Sequence, residues 1–457
     1  MSTPAPGPAD PGTLLLSKDY RKLLVLAALL GVLVSLASWC FLEVIHELQV
    51  WVFDDLPGQL GFGSVPVWWP LPVLGIAGVV IAFAIVRLPG HGGHLPTAGL
   101  GAPGPTQPMD LPGVILAAIA SIGLGMVLGP EAPLIALGTG LAVFAVKRVR
   151  KDAPDQVLTL MAAAAAFAAI SSLFGSPVVA AIVIIEAAGL GGAMLPVVLL
   201  PGLISAAIGS LVFVGMGSTT GLSSAAYAIP PITLPAYPEP TLASFLWVIV
   251  LSIVVAIAVF GIIELGRRTQ RVVDRRPFVV IPIVALIVAG LAIAFGEITG
   301  ESSSLVLFSG QDSMAPLVAG AASLSTSTLV LLLAFKGVAY GLSLGSARGG
   351  PTFPALFLGI VAGLLVADLP GLSETPAVAA LMGAATVAVL GLPLSSITIA
   401  LIITQSPVGA TPLVIVAVVV AFIVKRLVEA RWGPKTEEAP APAQQPQPPP
   451  ATSAAVP

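Results

Sequence analysis

Charge is what this chain has least of. Only 9% of its 457 residues are Asp, Glu, Lys or Arg, against 57% hydrophobic ones and a mean hydropathy of +1.04, which excludes a soluble globular domain. The formal net charge of −3 leaves nothing to attract a nucleic acid. With one cysteine, Cys40, no internal disulfide can form, and its place in an apolar stretch predicts a small core residue. Three histidines, His46, His91 and His94, are too few and too scattered for a metal centre. No nucleophile–base pair or phosphate-binding loop occurs either, so neither an enzyme nor a cofactor is indicated.

What the chain has instead is apolar length. A membrane-spanning helix takes roughly 20 apolar residues, and such runs recur at 22–42, 68–87, 111–128, 156–173, 195–216, 242–265, 277–296, 327–344, 376–403 and 411–430. The first is too long, and lies too far from the start, to be a cleaved signal, so it is expected to stay. Basic residues collect in a few loops: Lys18, Arg21 and Lys22, then Lys147 to Lys151, Arg267 to Arg276, and Lys425 to Arg431. The positive-inside rule places these loops, and with them both termini, on the cytoplasmic side of a multi-pass protein of the cell membrane. The Pro- and Ala-rich tails, 1–19 and 433–457, carry too few large apolar side chains for a core and are expected to be disordered.

The membrane part repeats itself. "GPEAPLIALG" from Gly129 and "GPTFPALFLG" from Gly350 share the pattern G-P-x-x-P-x-x-x-x-G at an offset of 350 − 129 = 221. "GSPVVAAIVII" from Gly175 and "GLPLSSITIAL" from Gly391 are offset by 391 − 175 = 216. Two unrelated motifs at nearly one offset predict a duplication, with one half over 20–216, an extramembrane connector over 217–241 and a second half over 242–432. Proline is tolerated in the first turn of a helix, so helices should begin at Glu131 and Thr352, inside the bilayer. Helix starts at membrane depth present free N–H groups and partial positive charge, which together bind anions. Glu131, a carboxylate at one such start, would compete with an anion for those donors, and a low-dielectric setting brings its protonation within reach of ordinary pH.

Three segments in order resemble the CLC family of chloride channels and chloride/proton antiporters. "GGHLP" (Gly92–Pro96) resembles its GSGIP signature, "GPEAP" (Gly129–Pro133) its G-[KR]-E-G-P, and "GGPTFP" (Gly349–Pro354) its GGxFxP. "FGSPVVAAIVIIE" (Phe174–Glu186) follows the second as in the family, and the likeness covers about 20–432. The resemblance implies an all-α inverted repeat of two antiparallel halves whose broken helices meet near the bilayer midplane. It also implies a homodimer, with an anion path in each subunit. Chloride would be the transported ligand, held by Gly92, Gly93 and His94, by Gly129, Pro130, Glu131 and Ala132, and by Gly350, Pro351, Thr352 and Phe353. Glu131 matches the gating glutamate.

The departures from the family pattern are specific. Gly93 stands where the signature serine would offer a hydroxyl, and His94 where the family has glycine. Ala187 follows Glu186 where antiporters have an inner proton acceptor, and Leu413 to Trp432 lacks the tyrosine expected near there. Proton coupling is therefore expected to be weak or absent, with Glu186 a structural neighbour. His91 and His94 read as imidazoles bonded to carbonyls at a loop rim, with an anion donor or pH sensor at His94 as the alternative. Glu43, His46 and Glu47 read as interfacial at the end of the first span, Glu264 as paired with Arg267 and Arg268, and Trp51, Trp68 and Trp69 as interface anchors. A rival function, a cation-coupled secondary transporter of an organic solute, uses similar repeats but needs more intramembrane polar side chains than this chain has. Channel against antiporter, and chloride against other small anions, stay open.

Overall fold

The computed structural model describes residues 15–100, 104–192, 195–220, 232–237, 239–406 and 408–433; most of both tails and about half of the connector lie outside them. Among the described residues the architecture is all α-helix. The first half comprises α1 (Lys18–Val50), α2 (Pro70–Arg87), α3 (Leu111–Gly123), α4 (Glu131–Val149), α5 (Asp155–Phe174), α6 (Pro177–Ala187) and α7 (Leu195–Thr220). The second comprises α8 (Leu242–Val273), α9 (Pro277–Thr299), α10 (Thr326–Ser346), α11 (Thr352–Val366), α12 (Glu374–Leu390), α13 (Pro393–Ile403) and α14 (Thr411–Trp432).

The halves repeat element by element where the motifs repeat. Helices α4 and α11 begin at Glu131 and Thr352, each capped by a proline, as the sequence predicts. Helices α6 and α13 both restart at a proline just after a break. The interior consists of α4, α5, α11 and α12, whose residues are mostly buried, as expected of helices that are largely apolar all round. Helices α8 and α9 sit at the perimeter and turn large side chains such as Leu246, Ile257 and Ile287 outward, to where acyl chains would be.

Several boundaries differ from the hydropathy reading. The run 376–403 is two helices, α12 and α13, because Pro393 cannot donate into a continuing helix. The run 111–128 stops being helical at Gly123, leaving Leu124–Pro130 as a non-helical approach to Glu131. Helix α1 runs to Val50 and continues through a π-turn (Trp51–Asp55) to Gln59, so Glu43, His46 and Glu47 lie within a helix rather than at its end. Lys18 and Asp19 belong to this helix, not to the tail, and Ser17 caps it through the Tyr20 N–H.

Three side-chain expectations are corrected. Cys40 is exposed on the outer face of α1 instead of packing in the core. Trp69 is buried and donates its indole N–H to the Val52 carbonyl at 2.9 Å, whereas Trp51 and Trp68 are exposed as anchors would be. Glu264 pairs with Arg268 at 3.0 Å and Arg271 at 3.3 Å, one turn further along than Arg267.

Candidate functional site

The two G-P-x-x-P segments meet. Gly129 N–H donates to the Gly350 carbonyl at 2.8 Å and Gly350 N–H to the Gly129 carbonyl at 2.5 Å, a reciprocal antiparallel bridge that joins the halves at their equivalent residues. Helices α4 and α11 leave from either side of it. In each, proline precedes the first residue and occupies the third helical position, so only two first-turn N–H groups exist there: those of Glu131 and Ala132 in α4, and of Thr352 and Phe353 in α11.

Glu131 spends its carboxylate on the opposite half. Its Oε1 accepts from Thr352 N–H at 2.9 Å and from Phe353 N–H at 3.1 Å, so it caps α11 rather than its own helix alone. The residue is wholly buried, and Oε2 has no hydrogen-bond partner among the described residues. The Thr352 hydroxyl, 1% exposed, is likewise without a geometric hydrogen bond and lies beside the carboxylate. Phe353 closes the other side, stacked on Phe174 with centroids 5.7 Å apart. A carboxyl oxygen thus already occupies the N-terminal end of a broken helix, where free N–H groups collect.

Not every predicted site residue shares this geometry. Gly129 and Gly350 use their N–H groups in the bridge, and Pro130 and Pro351 have none, so these four shape the site without donating to it. The first motif starts no helix: Pro89–Gly92 and Pro96–Ala98 are single 3₁₀ turns. Gly93 N–H is taken by the Gly90 carbonyl at 2.8 Å, and its backbone, at φ 90° and ψ −155°, is open only to glycine. His94 Nε2 bonds the Gly99 carbonyl at 2.8 Å and His91 Nδ1 the Ile85 carbonyl at 3.0 Å, the loop-rim arrangement read from the sequence.

Two cavities approach Glu131 from either side in the chain. A cavity of about 200 Å3 is lined by Gly93, His94, Thr106, Asp110, Ala132 and Ile135, and so brings the first motif to the residue after Glu131. A smaller one, about 40 Å3, is lined by His46, Gln49, Pro130, Ser309, Gln311 and Asp312, and reaches the residue before it. His46 thus lines the cavity that reaches Pro130. Glu186 has a different use: Oε1 accepts from Leu394 N–H at 2.9 Å, and Oε2 from Ser395 N–H at 2.7 Å and its hydroxyl at 2.6 Å, capping α13.

A family model described as voltage gated chloride channel matches residues 90–426. The chain belongs to that family. An ion-transport protein, YfeO, of Escherichia fergusonii is 31% identical over 352 residues, covering 74% of this chain and 78% of its own, and its counterpart in Shigella boydii is 31% identical over 348. The fold is that of a slow cyanobacterial chloride/proton antiporter, with TM-score 0.71, 19% identity, and coverage of 90% and 95% of the two chains. A CLC-type fluoride/proton antiporter matches with TM-score 0.66 at 16% identity over 89% and 96%. The protein is accordingly a multi-span membrane pathway for inorganic anions, not an enzyme.

Three buried polar side chains of this CLC chain escaped the sequence reading. Arg348, just before the second G-P segment, donates from Nε to the His91 carbonyl at 3.3 Å and so ties the third signature to the first. Tyr340 donates its hydroxyl to the Pro351 carbonyl at 2.6 Å, placing a phenol beside α11 from a helix other than the last. Lys336, 0% exposed, sits one turn before Tyr340 on α10. The available signal was their charge or hydroxyl in the middle of an apolar run.

Proposed function

We propose that the protein passes a small inorganic anion, chloride by default, through a path gated by Glu131. One observation carries the reading: the Glu131 carboxylate holds the two N–H groups at the start of α11 that an anion would otherwise bind. When ionised, the carboxylate competes with the anion; when protonated, it loses its charge and its hold on those donors. The cavities touching Pro130 and Ala132 are the approaches, and by the positive-inside rule the larger one opens toward the cytoplasm. Thr352, Phe353, Glu131 and Ala132 supply donors, with Gly93 and His94 lining the inner approach and Gly92 next to them in the chain. The working unit is a homodimer in the cell membrane with both termini cytoplasmic.

Proton coupling is weak or absent in this reading. Ala187 has no proton to offer, and the Glu186 oxygens are all engaged on α13. Membership in the family removes the organic-solute rival.

Liposome flux measured with chloride and fluoride electrodes against pH tests the gate. Flux through the wild type should rise on acidification, and Glu131→Gln, a permanent mimic of the protonated form, should keep flux but flatten the profile. A Gln variant with the wild-type pH dependence removes Glu131 from the role.

A further inference from the structure

Helix α10 presents Lys336, Tyr340 and Ser343 at i, i+4 and i+7, one face of the helix, and all three are completely buried. Each holds a different non-helical segment around Glu131. Ser343 accepts from Val127 N–H at 3.1 Å, in the approach to the first G-P segment. Tyr340 holds the Pro351 carbonyl in the second. Lys336 reaches the turn before Ser309, where its ammonium donates to the carbonyls of Leu305, Val306, Leu307 and Phe308 at 2.8, 3.3, 3.0 and 3.3 Å. Phe308 N–H in turn bonds the Gly125 carbonyl at 3.2 Å, so this turn backs the same approach that Ser343 holds.

The lysine has no carboxylate partner among the ion pairs of the described residues. Its remaining contact is the Phe357 ring, 4.4 Å from Nζ to the centroid. Phe357 lies one turn along α11 from Phe353, whose N–H holds Glu131, so the ammonium sits roughly 10 Å from those donors at the helical rise. Carbonyl dipoles solvate the ammonium without cancelling its unit charge. Holding an ammonium at membrane depth is expensive, and an anion path is a place where such a charge has a use.

We propose that Lys336, when protonated, is a cationic positioning residue of the anion path: its charge favours an anion at the start of α11, and its carbonyl bonds hold the turn that supports the approach to Glu131. This rests on the anion-path reading above, and it adds a residue that touches neither Glu131 nor the anion.

The test is calorimetric titration of chloride and fluoride into purified full-length wild type, Lys336→Met and Lys336→Arg, each also carrying Glu131→Gln so that the competing carboxylate is silent, with thermal melts alongside. A unit charge about 10 Å away in a medium of effective dielectric about 20 predicts that Lys336→Met weakens anion binding about tenfold. Lys336→Arg, which keeps the charge, should restore binding to within about threefold even if its melting temperature falls. Equal affinity in wild type and Met variant, or equal loss in Met and Arg, overturns the proposal. If Lys336→Met does not fold, Lys336→Gln takes its place against Lys336→Arg, and the same two outcomes decide. Wild type that neither binds nor passes a small anion brings down the anion-path reading itself and this inference with it.

Discussion

The side chain best placed to replace the signature hydroxyl is Thr352. Its Oγ1 is buried, lies beside the Glu131 carboxylate and makes no geometric hydrogen bond among the described residues, so an anion replacing that carboxylate would find a third donor next to the two backbone ones. A hydrogen bond to a charged group contributes about 1.5–3 kcal/mol. Thr352→Val, nearly isosteric, should therefore weaken chloride binding by about tenfold or more by calorimetry while the melting temperature holds; unchanged affinity would place the hydroxyl outside the site. Gly93→Ser should not create a donor, because φ of 90° excludes an L-residue without strain and a Cβ would press on Val114 at 3.1 Å. Its expected signature is a lowered melting temperature with no gain in affinity. Glu131 was legible in the sequence because a carboxylate between two prolines leaves few alternatives. Lys336 was not, since one cation inside an apolar run belongs to no motif, and only the fold reveals the carbonyls that solvate it.

Among the elements, the breaks matter more than the spans. Both G-P-x-x-P starts could be read because proline fixes where a helix begins, independently of what packs on it. The α12–α13 break could not be read from hydropathy, since Gly391–Leu392–Pro393 does not interrupt the apolar average even though it interrupts the helix. The single 3₁₀ turns of the first motif were equally hidden: a G-G-x-x-P string is compatible with a helix start, and the competing Gly93–Gly90 bond is decided by tertiary placement. At the bridge a Cβ on Gly350 would fall on the Glu131 carboxylate. Gly350→Ala should therefore expel the carboxylate or misfold the protein, and flux that retains wild-type pH dependence would contradict the geometry. Glu186→Gln removes charge from three hydrogen bonds at the start of α13, which should cost on the order of 1–3 kcal/mol of stability while leaving the pH profile of flux unaltered. A changed profile would make Glu186 part of the proton chemistry.

For the whole molecule, the duplicated plan followed from two offsets in the sequence, whereas the pairing of the halves did not. Which half supplies the carboxylate and which the donors is a three-dimensional fact. With Ala187 beside a fully engaged Glu186, an imposed chloride gradient should drive little uphill proton movement, and a fixed anion-to-proton ratio in liposomes would refute that. The mass of the detergent-solubilised particle should correspond to two chains.

The reciprocal Gly129–Gly350 bonds have a mechanical consequence. A transporter that alternates by rocking one repeat against the other needs its seam to slip at mid-depth. Here the two halves are stitched by two buried backbone hydrogen bonds, and breaking them away from water would leave four polar groups unsatisfied. The proposed gate beside this seam is a carboxylate arm a few atoms long, whose rotamer changes need no domain motion. If the proposed Glu131 gate holds, the pace of transport is set by how often a proton reaches the arm and how long the ion dwells, not by the swing of a heavy body.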